Sequence, residues 1–437
     1  MPIPDFDLHR RRLIDALPAD EAVLLFGARE QVRNGDSEHR YRPDSDVYWL
    51  TGWEDPECAV FVRGGEEPVT MFVQPRDRER EVWTGRRPGV EGARRKHGAD
   101  VAYVIAELER QLPRLLHGVR AVHHAFARDA DHDAVLMSSV TSAARSARKT
   151  GMTAPETFHH LSQLLHELRL RKTEDEIAVM RAAAELTAEG HLAAMRKARP
   201  GVYEYEIEAE LLGRWRRRGS TGPGYTPIVA TGVNGTVLHY HANRDELREG
   251  DLLLLDAGCE MSYYTADVTR TFPVSGKFSP EQRAVYEHVL RAQLLAIDAC
   301  RAGRTFDEVH DAARRALTEG MIELGLLKGP VEDRIRDESF LRYYMHGTSH
   351  WLGRDVHDVG GYEDENGRAL PLPPGAVLTV EPGLYFGPRD RAVAKELRGI
   401  GVRIEDDVHV TRRGPAVLTA AAPKRIADIE RLMAGGA

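Results

Sequence analysis

The stretch LLLLDAGCEMSYYTADVTRTFP, Leu252–Pro273, decides the fold. Leu252–Leu255, set between Asp251 and Asp256, reads as a buried strand, and Thr265–Pro273 reads as another. Asp267 lies eleven residues beyond Asp256, and the Gly258–Tyr264 turn region between them lets a hairpin return the second carboxylate beside the first. A carboxylate against a buried strand is costly unless a cation compensates it.

The same grammar recurs downstream. Ala376–Val380 is a strand followed by Glu381 and the turn Pro382-Gly383, and Gly401–Val410 is a strand carrying Glu405 among aliphatic neighbours. Helical runs at Pro280–Arg301 and Thr305–Leu324 interrupt these strands. Strands and helices without strict alternation predict an α+β domain with a largely antiparallel sheet. One acid of this kind is ordinarily a strand-end surface residue; four together point to a site.

Upstream the pattern differs. Short apolar runs such as Ala22–Phe26 and Ala59–Val62 alternate with turn-rich and helical segments such as Ala106–Leu116, which predicts an α/β layer domain without a phosphate loop or dinucleotide fingerprint. The charged, helix-favouring region His159–Arg171 leads to a capping box, Thr173-Glu-Asp-Glu176. That box opens a long helix with Ile177, Met180 and Ala184 on one face, ending at Pro200-Gly201. Residues 1–172 and 173–437 are therefore expected to be separate domains, in keeping with the length of 437 residues.

Sixty lysines and arginines against 68 aspartates and glutamates leave a net charge of −8, which argues against non-specific nucleic-acid binding. Arg214-Trp-Arg-Arg-Arg218 reads as a solvated helix face rather than a nucleic-acid patch. Three scattered cysteines, Cys58, Cys259 and Cys300, exclude a disulfide framework and suit a reducing compartment. No apolar run approaches the roughly 20 residues of a membrane span, and no secretory signal follows the basic Arg10–Arg12, so a cytoplasmic location is expected.

Histidines complete the ligand chemistry. His346-Gly-Thr-Ser-His350-Trp-Leu-Gly353 is followed by His357, with His239 and His241 upstream. Four carboxylates and an imidazole form a hard, oxygen-rich set able to hold two divalent cations in charge balance. Paired cysteines of a structural zinc site, a His-Glu-x-x-His helix and a Gly-x-Ser-x-Gly elbow are all missing from the chain.

The contexts LLLLDAGCE, YTADVTRTFPVSGKF, HGTSHWLGRDVHD, LTVEPGLY and GIGVRIEDDV resemble the dinuclear metallopeptidases of the pita-bread fold, and within them the aminopeptidase P (Xaa-Pro aminopeptidase) family. DSEHRYRPDSDVYWLTGWEDPE (Asp36–Glu57) and VWTGRRPG (Val82–Gly89) are similar to that family's creatinase-like first domain. The resemblance implies a metal-dependent release of the amino-terminal residue from peptides with proline second, by a metal-bridging hydroxide. The ligands it implies are Asp256 on one metal, His350 and Glu381 on the other, and Asp267 and Glu405 bridging both. Glu381 would shuttle the proton, and His239 and His357 would donate to the substrate and the oxyanion. His346 would line the proline pocket, Tyr225 would lie near the metals, and Arg403 and Tyr385 would hydrogen-bond around Asp256. Asp36 and Trp83 of the first domain, which serves oligomerisation and active-site access, would reach a neighbouring subunit of a homodimer or homotetramer. Two Mn²⁺ are the implied cofactors, with Co²⁺, Zn²⁺ or Fe²⁺ able to use the same ligands. Prolidase, acting on Xaa-Pro dipeptides, is the alternative enzyme. A non-catalytic pita-bread binding protein and a metal-free creatinase-type hydrolase both conflict with a complete ligand set. His241, two residues from His239, would face the other way in an extended segment.

Overall fold

The computed structural model describes residues 2–64 and 68–435, and its contacts divide the chain into two units, Asp5–Arg169 and the chain from Leu170. The first is built on a six-stranded mixed sheet in the order Val101–Val104, Val69–Val73, Ala59–Arg63, Glu21–Phe26, Ala121–His124, Thr157–His160. Ala59–Arg63 runs antiparallel to both neighbours, and the other pairs are parallel. Ala22 and Leu24 face one apolar cluster while Val23 and Leu25 face another, so both faces are covered and the strands read as unbroken apolar runs.

Two local outcomes refine the sequence reading. Thr157–His160 is an edge strand pairing with Ala121–His124, and only Leu165–Leu170 of the expected helical region is α-helix. Sheet pairing outweighs the helix preference of that charged segment. The signature at residues 36–57 resolves into helix-start chemistry: the Asp44 carboxylate accepts the Asp46 and Val47 N–H groups, each at 3.0 Å, and Asp46 pairs with buried Arg169 at 2.6 Å.

The second unit carries short antiparallel sheets flanked by helices. Ile228–Thr231, Leu252–Asp256 and Thr269–Pro273 form one three-stranded sheet; Val377–Val380, Asp406–Thr411 and Gly414–Val417 form another. Gly383–Tyr385 pairs with Gly401–Arg403, and Cys259–Met261 pairs with Gly222–Pro223 and Tyr264–Thr265. The capping box at Thr173 opens helix Glu174–Lys197, and boxes at Ser279 and Thr305 open Pro280–Ala299 and Phe306–Glu323, which pack on each other. Trp215 of the basic run is buried, so the arginines flank a core anchor. The three cysteines are buried free thiols, and among the described residues no helix is long and apolar enough to cross a membrane.

The strands expected at 265–273 and 401–410 are each interrupted. The ladder stops between Thr265 and Thr269, and again between Arg403 and Asp406. Asp267 and Glu405 sit in those two gaps.

Candidate metal centre

Each of the four acids occupies a strand end or gap, where the side chain leaves the pleat and the local backbone needs partners outside the ladder. Asp256 closes its strand, in register with Ile228 and Thr269. The Asp267 N–H donates to both carboxylate oxygens of Asp407 at 3.1 and 3.2 Å, and the Glu405 N–H donates to the Thr269 carbonyl at 3.1 Å. The Glu381 N–H donates to the Thr348 carbonyl at 2.8 Å. His350 is fixed across the same gap, its N–H donating to Thr379 Oγ1 at 3.1 Å.

These elements bring the five sequence-predicted ligands into one site. Asp267, His350 and Glu405 offer ligand atoms that all lie within 4.8 Å of one another. His350 Nε2 is 3.5 Å from Asp267 Oδ2 and 3.5 Å from Glu381 Oε1. The Tyr225 hydroxyl joins Asp256 to the group, lying 2.6 Å from Asp256 Oδ1 and 2.5 Å from Asp267 Oδ1.

The donor set fits a metal on two observations. His350 donates through Nδ1 to the Trp351 carbonyl at 3.0 Å, which directs the Nε2 lone pair at the carboxylates, the arrangement in which imidazole ligates. The charges are also unbalanced without a cation. Burial, reinforced by Asp267 and Glu381, pushes the Glu405 carboxyl well above its ordinary range. Burial raises Asp256 against the opposing Arg403 charge, and raises Glu381 to about 7 against His350 and Arg403. Asp267 is held low: burial works against it, but the hydrogen bond and charge of His350 prevail. Burial would lower His350, yet Asp267 and then Glu381 raise it to about 9, so the surrounding carboxylates favour positive charge at this position.

Arg403 organises the surroundings. Nη2 donates to Asp256 Oδ2, Nη1 donates to the Tyr385 hydroxyl at 3.1 Å, and Nε donates to Thr269 Oγ1 at 3.1 Å. Thr269 passes the constraint on, donating to Glu405 Oε2 at 2.7 Å. Tyr385 touches Arg403 and donates to His346 Nε2 at 2.9 Å, so it reaches Asp256 through Arg403 rather than directly. His346 is neutral, held at about 4 by burial and then by the Arg403 charge.

His357 stacks edge-on to His350, ring centroids 4.4 Å apart, and is exposed. His239 is exposed on a turn, near enough to His346 and His357 for its charge to lower theirs. Its ring lies 6.2 Å from that of His241 at 19°, so the two do not alternate: the segment is a turn and the strand rule does not apply. In the first unit, Asp36 is exposed at the turn joining Val32–Asn34 to Ser37–Glu38, and Trp83 on helix Arg78–Thr84 is 88% exposed, which excludes ordinary core packing for it.

Sequence reading missed the residues that position the candidate ligands. Asp406 and Asp407 follow Glu405 directly, yet Asp407 anchors the Asp267 amide and Asp406 pairs with Arg270 at 2.7 Å and Lys424 at 2.6 Å. Arg270 is fully buried and donates to the carbonyls of Glu405, Thr269 (2.9 Å) and Ala422 (2.9 Å), filling the gap in the ladder beside Glu405. The available signal was an arginine inside a buried strand, Thr-Arg270-Thr. Arg270→Met removes one of the two cations paired with Asp406, leaving Lys424, and removes the donors to the carbonyls of Thr269, Glu405, Ala422 and Pro423. Thermal unfolding is expected to show a midpoint lower by roughly 10 °C, from the ~3–5 kcal/mol that losing one member of a buried pair costs. An unchanged midpoint would contradict this role.

Comparison with known proteins supports the same reading. Residues 178–412 match the model of metallopeptidase family M24, and residues 6–123 match that of the aminopeptidase P N-terminal domain. The chain is 42% identical to the Xaa-Pro aminopeptidase of Escherichia coli K12 over 432 residues, covering 98% of this chain and 97% of that protein. It is 31% identical to human Xaa-Pro aminopeptidase 3 over 422 residues, 94% of this chain and 81% of that one. Among solved structures, the Pseudomonas aeruginosa aminopeptidase PepP superposes with a TM-score of 0.96 at 44% identity, covering 100% of this chain and 99% of that chain. A zinc-substituted E. coli aminopeptidase P in complex with product gives 0.95 at 40% identity, with 100% of both chains covered.

Proposed function

The chain belongs to metallopeptidase family M24, and from that membership we propose that it is a metal-dependent Xaa-Pro aminopeptidase, releasing the first residue of peptides whose second residue is proline. The observation that carries this reading is the convergence of Asp267, His350 and Glu405 on one point beside Asp256 and Glu381. The near-full-length match to Xaa-Pro aminopeptidases favours it over prolidase, and the complete donor set favours it over a non-catalytic scaffold.

Two divalent ions, most suitably Mn²⁺, would be held by Asp256, Asp267, His350, Glu381 and Glu405. When bound, they supply Lewis acidity and make a water nucleophilic at neutral pH. The remaining work belongs to the chain. Glu381 accepts the proton of the attacking water and returns it to the proline nitrogen, a poor leaving group until protonated. His239 and His357 donate to the substrate carbonyl as negative charge develops on it. His346, neutral and fixed between the Gly347 carbonyl and Tyr385, offers a ring face to proline. Arg403, through Asp256 and Thr269, holds two of the ligands in place.

Asp36 and Trp83, both exposed in the first unit, suit contacts in a homodimer or homotetramer that shape access to the site. In this reading residues 1–172 serve that role, residues 173–437 are catalytic, and the enzyme works in the cytoplasm.

Exhaustive chelation tests the assignment. Release of the first residue from an Xaa-Pro peptide is expected to fall to background and to return on adding Mn²⁺. Activity indifferent to chelator would overturn it.

A further inference from the structure

The segment that delivers His350 has a second use. Between it and the start of helix Phe306–Glu323 lies an open cavity of about 370 Å³, walled by Phe306, Leu341, Met345 and Tyr362, with Asp307 and Ser349 as polar members. It shares a wall with the metal centre. His346 and Thr348 line it, and the same residues bind Tyr385 and the Glu381 N–H.

Leu341, Met345 and Tyr362 are more than 40% exposed, so large apolar surface lines the cavity and faces water. The wall is rigid: Phe306 meets Trp351 edge-on at 4.4 Å and Tyr362 at 4.8 Å. Asp307 is exposed, and its carboxylate makes no hydrogen bond or ion pair among the described residues. The adjacent cations are already engaged, Arg304 with Glu308 and Arg342 with Asp390. His310, 2.8 Å from Thr348 Oγ1, and His346 are both held below the ordinary imidazole range by burial. Asp307 is the one acidic residue of the lining, which holds no lysine or arginine, and Ser349 Oγ is buried without a hydrogen-bond partner among the described residues. Apolar walls ending at a free carboxylate match a side chain with an apolar stem and a cationic head.

We propose that this cavity receives the side chain of the residue after proline and favours arginine or lysine there. The inference rests on the aminopeptidase reading, in which proline lies against His346, so the next residue leaves the metals past the wall that His346 shares with the cavity.

The test compares Ala-Pro-Arg amide with Ala-Pro-Glu amide as substrates of the full chain with Mn²⁺. The kcat/KM ratio is expected to be about tenfold in favour of arginine, the scale of one exposed charge that attracts one peptide and repels the other. It should shrink in 1 M salt, fall towards one in Asp307→Asn and invert in Asp307→Lys. Calorimetric binding of Pro-Arg amide and Pro-Glu amide should follow the same order. A ratio near one in the unaltered chain, or an unchanged preference in Asp307→Asn, would overturn the cavity's role and leave the aminopeptidase reading standing. Failure to release alanine from either peptide would overturn that reading, and the inference with it.

Discussion

Glu381→Ala is expected to abolish turnover, with kcat lower by at least about 10³-fold. Two losses add. The variant lacks the carboxylate facing His350 Nε2 at 3.5 Å, and it lacks the group that relays the proton to the proline nitrogen, a contribution worth ~10²–10⁴-fold alone. Glu381→Gln separates them, because the amide keeps an oxygen at the same reach but cannot carry the proton. Its kcat should be nearly as low while metal content, measured on the desalted protein, stays closer to that of the unaltered chain. A near-normal kcat in either variant would contradict the role.

The second large effect is expected for Asp267→Asn. Asp267 Oδ1 takes the Tyr225 hydroxyl, Oδ2 faces His350 Nε2, and the backbone is pinned by Asp407. The amide is nearly isosteric, so these supports survive while the negative charge at the centre is lost. Metal retention should fall by more than the roughly 10–100-fold seen when a supporting partner is removed. Activity should fall with it and recover only partly at high Mn²⁺. Full metal occupancy with full activity would show that Asp267 does not ligate.

That Asp256, Asp267, Glu381 and Glu405 share one site was legible because each acid abuts an apolar strand, a placement that makes little sense without a cation. The gaps around Asp267 and Glu405 were not legible. Ala266, Val268, Val402 and Ile404 continue the apolar pattern straight through them, and side-chain pattern does not record where a ladder loses its partner. The jobs of Asp406, Asp407 and Arg270 were hidden for a related reason: the contacts of Asp407 with Asp267 and of Arg270 with Glu405, Asp406 and Pro423 join residues 135 to 153 positions apart, a pairing that no local pattern marks. In the first unit the apolar runs were read as strands, but their order and mixed direction follow from tertiary pairing. The strand at Thr157–His160 exists only because Ala121–His124 offers it an edge.

The most direct measurement is hydrolysis of a matched pair, an Xaa-Pro dipeptide and an Xaa-Pro-Yaa tripeptide, with Mn²⁺ and with chelator, following release of the first residue. Metal-dependent cleavage of the tripeptide is expected. Cleavage of the dipeptide alone, or of neither, would contradict the assignment.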